Sequence, residues 1–234
     1  MYLCPTCNNY TIKLQKLRSL QEDKREDLLK KSLLHLDIVA KQREHYKRSI
    51  IIWNVVQHFL KTANLECCKA SSIVQHYSFD FAQQISLPNS RQQVGPIYLL
   101  VPYKLAIFGI MCEPVGKMVI YVIPESVLAN KGSKMVISLL HHFLSKCAVG
   151  EKKVNHNADN CFSQNKNNTV LQYVAWRTVS GLSDKIELAL LVGEGHTKFG
   201  QDYGFGVFMM LYRHADVYNR RCMPADRNFQ HVDR

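Results

Sequence analysis

The sequence has no run of apolar residues close to the roughly 18 that are needed to cross a bilayer. Its start, Met1 to Pro5, lacks the basic region and apolar stretch of a secretory signal. Its eight cysteines are spread unevenly, without the regular spacing of a small disulfide-rich secreted domain. We therefore expect a protein without a membrane span, with reduced thiols, in the nucleus or the cytoplasm.

Acidic residues are scarce compared with basic ones. The 234 residues include 30 Lys and Arg but only 19 Asp and Glu, giving a net charge of +11. A positive field of this kind favours phosphate-rich partners, so nucleic acid is the expected partner, DNA before RNA, and the nucleus the preferred location. The alternative is an ordinary basic protein whose lysines only keep it in solution.

Proline and glycine are absent between Tyr10 and Leu60, and this segment is charged and helical in character. Residues 11–48 hold 11 Lys and Arg against 6 acids, a net of +5. One helical face carries Leu29, Leu33, Leu36 and Ala40. The pattern predicts a basic arm or a helical hairpin. It fits contact with the DNA backbone and self-association equally, and a merely solvated helix face remains open.

Cys4 and Cys7 form a Cys-x-x-Cys pair, a spacing that lets two thiolates bind one Zn²⁺ from a tight turn. A structural zinc site needs four ligands, so the pair is half of a candidate site. Candidates for the other ligands by residue type are His35, His45, Cys67 and Cys68, none at a standard spacing. A pair of thiols without metal is the alternative.

Hydrophobicity alternates from Ile73 to Ile85, as in a strand. Asp80 lies in the middle of this aromatic segment, and Asp is depleted from strand interiors. The two faces of the predicted strand carry Tyr77, Phe79 and Phe81 on one side and His76, Ser78, Asp80 and Ala82 on the other. Asp80 therefore belongs either to a solvated face or to a ligand set that points into a cleft.

The rest of the chain reads as alternating strands and helices, which predicts an α/β fold with a mixed sheet flanked by helices. We predict an arm at 1–66, a sheet domain at 67–215 and a polar tail at 216–234. The predicted strands are 97–101, 105–112, 119–123, 153–158 and 186–192, and the predicted helices are 133–148, 168–180 and 203–212.

The amide-rich stretch from His156 to Asn168 places Asp159 at the end of a predicted strand. Turn chemistry and a helix cap would explain the stretch without any ligand. A second polar loop leads to Asp202, which is also placed to cap the following helix. We predict that Asp80, Asp159 and Asp202 together hold Mg²⁺ or Mn²⁺, since carboxylate oxygens are the ligands that such ions prefer.

Three further side chains join this candidate site. His196 precedes Asp202 by six residues and is a candidate ligand or proton shuttle, roles open to a group that titrates near neutral pH, although a loop histidine bonded to backbone fits too. Lys166 and Lys198 are candidate phosphate contacts.

Several motifs resemble an uncharacterised domain of transposon-derived animal proteins, over about residues 71–213. They are 77–84 (YSFDFAQQ), 95–98 (GPIY), 158–161 (ADNC), 164–168 (QNKNN) and 195–199 (GHTKF). The chain departs from the family pattern at Phe162-Ser163, where a glycine is expected, and looks short at both ends, as if a DNA-recognition domain were missing. Both departures are expected of a decayed or partial copy.

The order of elements is also similar to that of the ribonuclease H-like fold. In that fold, carboxylates on the first strand, at the end of the fourth strand and around the last helix surround the metals, which by analogy are Asp80, Asp159 and Asp202. The resemblances imply a metal-dependent nuclease or strand-transferase of transposon origin. The alternatives are a catalytically inactive nucleic-acid-binding or assembly module, and a plain α/β domain whose polar loops only cap helices.

Overall fold

A computed structural model describes residues 4–16, 22–62, 74–87, 101–128, 131–148, 150–191 and 199–222. The N-terminal part consists of two helices that contact one another, α1 (Pro5–Lys16) and α2 (Glu22–Thr62). The helical prediction for this segment is confirmed, with a break that the sequence pattern did not locate. Cys67 and Cys68 lie outside the described residues.

Six strands form one mixed sheet. They are β1 (Val74–Phe81), β2 (Ile85–Leu87), β3 (Tyr103–Cys112), β4 (Lys117–Pro124), β5 (Lys153–Asp159) and β6 (Lys185–Leu191). β3 is antiparallel to β1, β2 and β4, whereas β1, β5 and β6 run parallel to one another. The α/β prediction is confirmed at this level. The predicted strand at 97–101 lies almost wholly outside the described residues.

Three more helices cover the sheet: α3 (Ser133–Lys146), α4 (Asn168–Val179) and α5 (Gly200–Cys222). One face carries the main core, in which α3 and Tyr173 of α4 pack against Tyr77, Phe79 and Phe108. The other face carries a smaller core around Ile107 and Phe205, where α5 packs. This division follows from the alternation in β1, whose two sets of side chains point to opposite faces.

Local sequence explains where the helices begin and end. The side chain of Asn167 accepts a hydrogen bond from the Val170 amide at 3.1 Å and so caps α4 at its start. Gly181 follows α4 with a φ of 68°, a conformation that glycine adopts without steric cost. Within the described part of the chain, no helix is both long and apolar enough to span a membrane.

Two expectations need correction. β1 does not have a solvated face: every residue from Gln75 to Phe79 is buried, because α2 and α5 contact β1. The last helix is also longer than predicted and continues to Cys222, so helical structure extends into the segment that was expected to be a polar tail. Residues 223–234 lie outside the described part.

Candidate functional site

Asp80 and Asp159 lie at the C-terminal ends of two neighbouring parallel strands. Ser78 of β1 pairs with Asn157 of β5, and extending this register by two residues places Asp80 beside Asp159. Residues paired in this way point to the same face of the sheet. The parallel pairing of β1 with β5 therefore puts two carboxyl groups side by side, both partly buried.

Asp202 reaches the same region because α5 packs closely on this face. Gly109 pairs with Asp80 across β3. A Cβ atom at Gly109 would lie 2.7 Å from the Phe205 ring, and a Cβ atom at Gly204 would lie 2.2 Å from the sulfur of Met118. A larger residue at Gly109 would have to displace the Phe205 ring, and one at Gly204 the Met118 side chain, so both glycines favour the close approach of α5, whose first turn contains Asp202.

The charges of the three aspartates interact. The pKa of Asp80 is raised to about 7, first by burial and then by the nearby carboxylates of Asp159 and Asp202. A hydrogen bond from the Phe81 amide and the charge of Lys131 act in the opposite direction. The structure thus brings together three acids that are far apart in sequence.

The carboxylate oxygens of Asp80, Asp159 and Asp202 are spaced more widely than the ligand atoms of a site for one ion. Among the described residues, the only set of three or more His, Cys, Asp or Glu whose ligand atoms all lie within 4.8 Å of one another is Cys4, Cys7 and His35. The three aspartates interact electrostatically but do not meet that spacing.

Lys131 is a member of this region that the sequence pattern did not reveal. It precedes α3, and its Nζ atom lies 5.3 Å from the centre of the Phe81 ring. Burial lowers the pKa of Lys131, and the charge of Asp80 partly offsets this effect. No local motif marks Lys131, because its relation to Asp80 depends on how the α3 segment crosses the sheet.

The amide-rich stretch both caps a helix and orients Asp159. Buried Asn165 donates a hydrogen bond from Nδ2 to Asp159 Oδ1 at 2.5 Å, and the Cys161 amide donates to the same oxygen at 3.3 Å. Asn167 donates to the carbonyl oxygens of Phe162 and Gln164, in addition to capping α4. The amide-rich stretch therefore has two roles. Asn167 caps α4, as the alternative without a ligand predicted, and Asn165 holds the carboxylate of Asp159 in place.

Asp202 also stabilises the start of α5. Its Oδ2 accepts a hydrogen bond from the Phe199 amide at 3.1 Å, as expected of an acid in the first turn of a helix. Glu113 supports the same end of α5, since it accepts hydrogen bonds from the Gly200 amide at 3.1 Å and from the Ser78 hydroxyl. Glu113 was not singled out from the sequence.

The long helix α2 docks at this point. Tyr46 hydrogen-bonds to Glu113, and its ring contacts that of Phe199 edge-on at 5.2 Å between centroids. Burial, followed by the charge of Glu113, raises the pKa of Tyr46 well above its usual range. The arm is therefore connected to the start of α5, next to Asp202.

The sequence also predicted roles for Lys166, His196 and Lys198, and the structure describes Lys166. Lys166 is exposed, and its Nζ lies 4.7 Å from the centre of the exposed Phe162 ring. His196 and Lys198 lie outside the described residues, so their roles stay predictions.

Cys4 and Cys7 lie close to His35 in the structure. Cys4 is buried just before α1, Cys7 lies in its first turn, and His35 projects from α2 so that its Nε2 is 3.5 Å from Cys4 Sγ. These three ligand atoms could hold a metal ion such as zinc. Of the partner residues suggested by the sequence, the structure brings in His35. His45 instead lies near His76 and Glu187.

Comparison with known proteins yields one family. A family model described as a domain of unknown function (DUF7869) matches residues 100–222, just over half of the chain. No curated protein and no solved structure matches the chain. The matched stretch includes Asp159 and Asp202, whereas Asp80 lies before it.

Proposed function

The chain belongs to the DUF7869 family, and from its own residues we propose that it is a divalent-metal-dependent domain that cleaves or transfers strands of nucleic acid, DNA in the first place. The observation that carries the proposal is the raised pKa of Asp80, to which Asp159 and Asp202 contribute from two other elements. Carboxylates that repel one another are stabilised by a proton or a cation. Such a cluster at the ends of parallel strands fits a cation-binding role.

The donor set suits Mg²⁺ or Mn²⁺, which prefer carboxylate oxygens. Two such ions about 3.5–4 Å apart would activate water and stabilise the leaving oxygen of a phosphodiester. Asp80, Asp159 and Asp202 would hold them, and their looser grouping suits two shared ions better than one. Asn165 fixes the orientation of Asp159 through its 2.5 Å hydrogen bond. Lys131, beside Asp80, is available to bind a phosphate oxygen.

The arrangement of the sheet supports a ribonuclease H-like fold as part of the proposal. β3 is the antiparallel strand between β1 and β4, and β5 and β6 continue the sheet in parallel on the far side of β1. The order of elements and the position of the acids on the first strand, at the end of β5 and on the last helix agree with that fold. The motif resemblance supports an origin in a mobile element and, with it, a nuclear location.

Contact with nucleic acid is proposed at the loop that follows β5. Lys166 and Phe162 are both exposed there, close to Asp159. An exposed aromatic ring beside a cation suits base stacking together with phosphate binding. The basic helices α1 and α2 add charge for the backbone, and His196 and Lys198 remain candidates for a proton shuttle and a phosphate contact.

The test is a cleavage and strand-transfer assay on the full chain. Purified protein is incubated with single-stranded, duplex and branched DNA and with Mg²⁺, Mn²⁺ or chelator. Metal-dependent nicking or end joining is expected, with a loss of at least a hundredfold in Asp159→Asn and none in Asp184→Asn, since Asp184 is exposed directly before β6, at the end of the parallel strands opposite to Asp159. Equal activity in both variants would overturn the assignment of Asp159.

A catalytically inactive nucleic-acid-binding module is the second candidate. It is favoured by the fact that Asp202 already caps α5 and Asp159 is already bound by Asn165, so both acids have structural roles without metal. This candidate predicts DNA binding that weakens steeply with salt and is unchanged by metal or by Asp159→Asn, without cleavage.

A further inference from the structure

We propose that Cys4, Cys7 and His35 bind a Zn²⁺ ion that fastens α1 to α2. The ligand atoms of these three residues lie within 4.8 Å of one another, although His35 is 28 residues after Cys7 in the sequence. Two sulfurs and one imidazole nitrogen are a donor set that zinc prefers in proteins. This site is separate from the aspartate cluster and does not depend on the function proposed for it.

The stability of α1 requires something beyond its own sequence. α1 has 12 residues, and none of its side chains is buried. Helices of this length are marginal in water unless they bury an apolar face. Cys4, directly before α1, is only 3% exposed, and Tyr10 of α1 lies near His35 with 6.4 Å between ring centroids. A metal that joins Cys4 and Cys7 to His35 would strengthen the existing contact of α1 with α2.

Binding of Zn²⁺ releases the protons of the two thiols. Each thiol gives up its proton to become a thiolate ligand, and His35 binds in its neutral form through Nε2, so the occupied site has no net charge. Because binding releases these protons, the affinity for zinc falls as the pH is lowered.

Three protein ligands leave one position of a tetrahedral ion. Either a water molecule or a further side chain would complete the coordination.

The experiment measures metal content and the ligand field on the full chain purified under reducing conditions. We expect about one zinc per chain, as for other structural sites with thiolate ligands. After exchange for Co²⁺, intense visible bands of a tetrahedral ion and a thiolate charge-transfer band are expected. Cys7→Ser and His35→Asn should each lower zinc affinity by at least tenfold. They should also make α1 accessible to protease at its lysines, which wild-type protein with zinc protects.

The matched controls are Cys147→Ser and His142→Asn. Cys147 is an exposed thiol on the sheet domain, and His142 is bonded to Tyr121, so neither should change zinc content. Zinc lost equally in the controls and in the Cys7 variant would overturn the site. So would a chain without zinc or cobalt binding whose Cys4 and Cys7 form a disulfide on mild oxidation, which would indicate a redox pair.

Discussion

Asp80 has a pKa of about 7 because burial and two neighbouring carboxylates oppose its ionisation. Its ordinary value in an unfolded chain is 3.8, so between these two pH values the folded protein binds more protons than the unfolded chain. The free energy of unfolding therefore falls as the pH rises through this window. Above pH 7 the full destabilisation is present unless a cation replaces the proton.

Asp80→Asn should stabilise the metal-free protein at pH 8 by about 2 kcal/mol, less than the roughly 4 kcal/mol that the whole shift represents because the side chain is only partly buried. At pH 4 the variant and the wild type should be nearly equally stable. Urea unfolding at both pH values, with EDTA present, measures the difference. The asparagine oxygen can still accept the hydrogen bond from the Phe81 amide.

Asp184→Asn is the control for this prediction, because Asp184 is exposed and should show neither effect. Added Mg²⁺ or Mn²⁺ should stabilise the wild type at pH 8 but not Asp80→Asn. Equal stability of the wild type and Asp80→Asn at pH 8, with no response of the wild type to metal, would contradict the electrostatic cluster.

His156 shows the opposite pH dependence. It is fully buried against Tyr77 and Phe79, and burial followed by the charge of Arg177 lowers its pKa to about 4. From pH 6.5 down to 4 the unfolded chain binds a proton that the folded protein does not. The folded state should therefore lose up to about 3 kcal/mol across this window, since one pKa unit corresponds to about 1.4 kcal/mol.

Proton NMR titration of the histidine rings tests this directly, with the His156 signal identified by its absence in His156→Gln. Its chemical shift should stay constant above pH 5. Titration of this ring near pH 6.5 in the folded protein would mean that His156 is hydrated.

At the scale of secondary structure, α5 contains two glycines in different environments. A Cβ atom at Gly204 would lie 2.2 Å from the Met118 sulfur, whereas nothing lies within 4 Å of one at Gly206. Gly206→Ala should stabilise the protein by about 1 kcal/mol through helix propensity alone. Gly204→Ala should destabilise it by about 1 kcal/mol, because overpacking outweighs the same gain.

Thermal unfolding of the two variants, followed by circular dichroism, compares them under identical conditions. Because α5 also carries Asp202, a shift of this helix in Gly204→Ala should reduce metal-dependent activity more than Gly206→Ala does. Equal stabilisation by both substitutions would show that the Met118 side chain moves away from α5 at no cost.

At the scale of the whole molecule, α2 exposes several large apolar side chains in the monomer. Leu33, Leu34, Ile51, Ile52 and Val55 are each at least 60% exposed. Exposed apolar side chains gathered on one element mark an interaction surface more often than scattered ones do. The prediction that the arm mediates self-association is thus consistent with the exposure of α2 but stays a prediction.

An Ile51→Glu/Ile52→Glu double variant tests it. If two copies associate through α2, light scattering coupled to size exclusion should show a dimer or larger species for the wild type and a monomer for the variant. Val179→Glu, at an exposed position at the end of α4, should leave the oligomeric state unchanged. A wild-type protein that is monomeric at tens of micromolar would contradict self-association through α2.

Much of the fold could be predicted because the signals were local. The alternation from Ile73 to Ile85 predicted β1, Asn167 and Gly181 bounded α4 by cap and turn chemistry, and the helical spacing after Ser133 predicted α3. Such signals depend on a few neighbouring residues, whose backbone preferences act within one turn or one strand.

The relations between distant residues were decided by tertiary structure. The sequence proposed three aspartates by analogy, but whether their charges interact depends on the parallel register of β1 with β5 and on the close packing of α5 at Gly109. Likewise, neither the position of Lys131 beside Asp80 nor that of His35 beside Cys4 follows from spacing. The physical reason is that local preferences determine elements, whereas strand pairing and helix packing bring together residues that are distant along the chain.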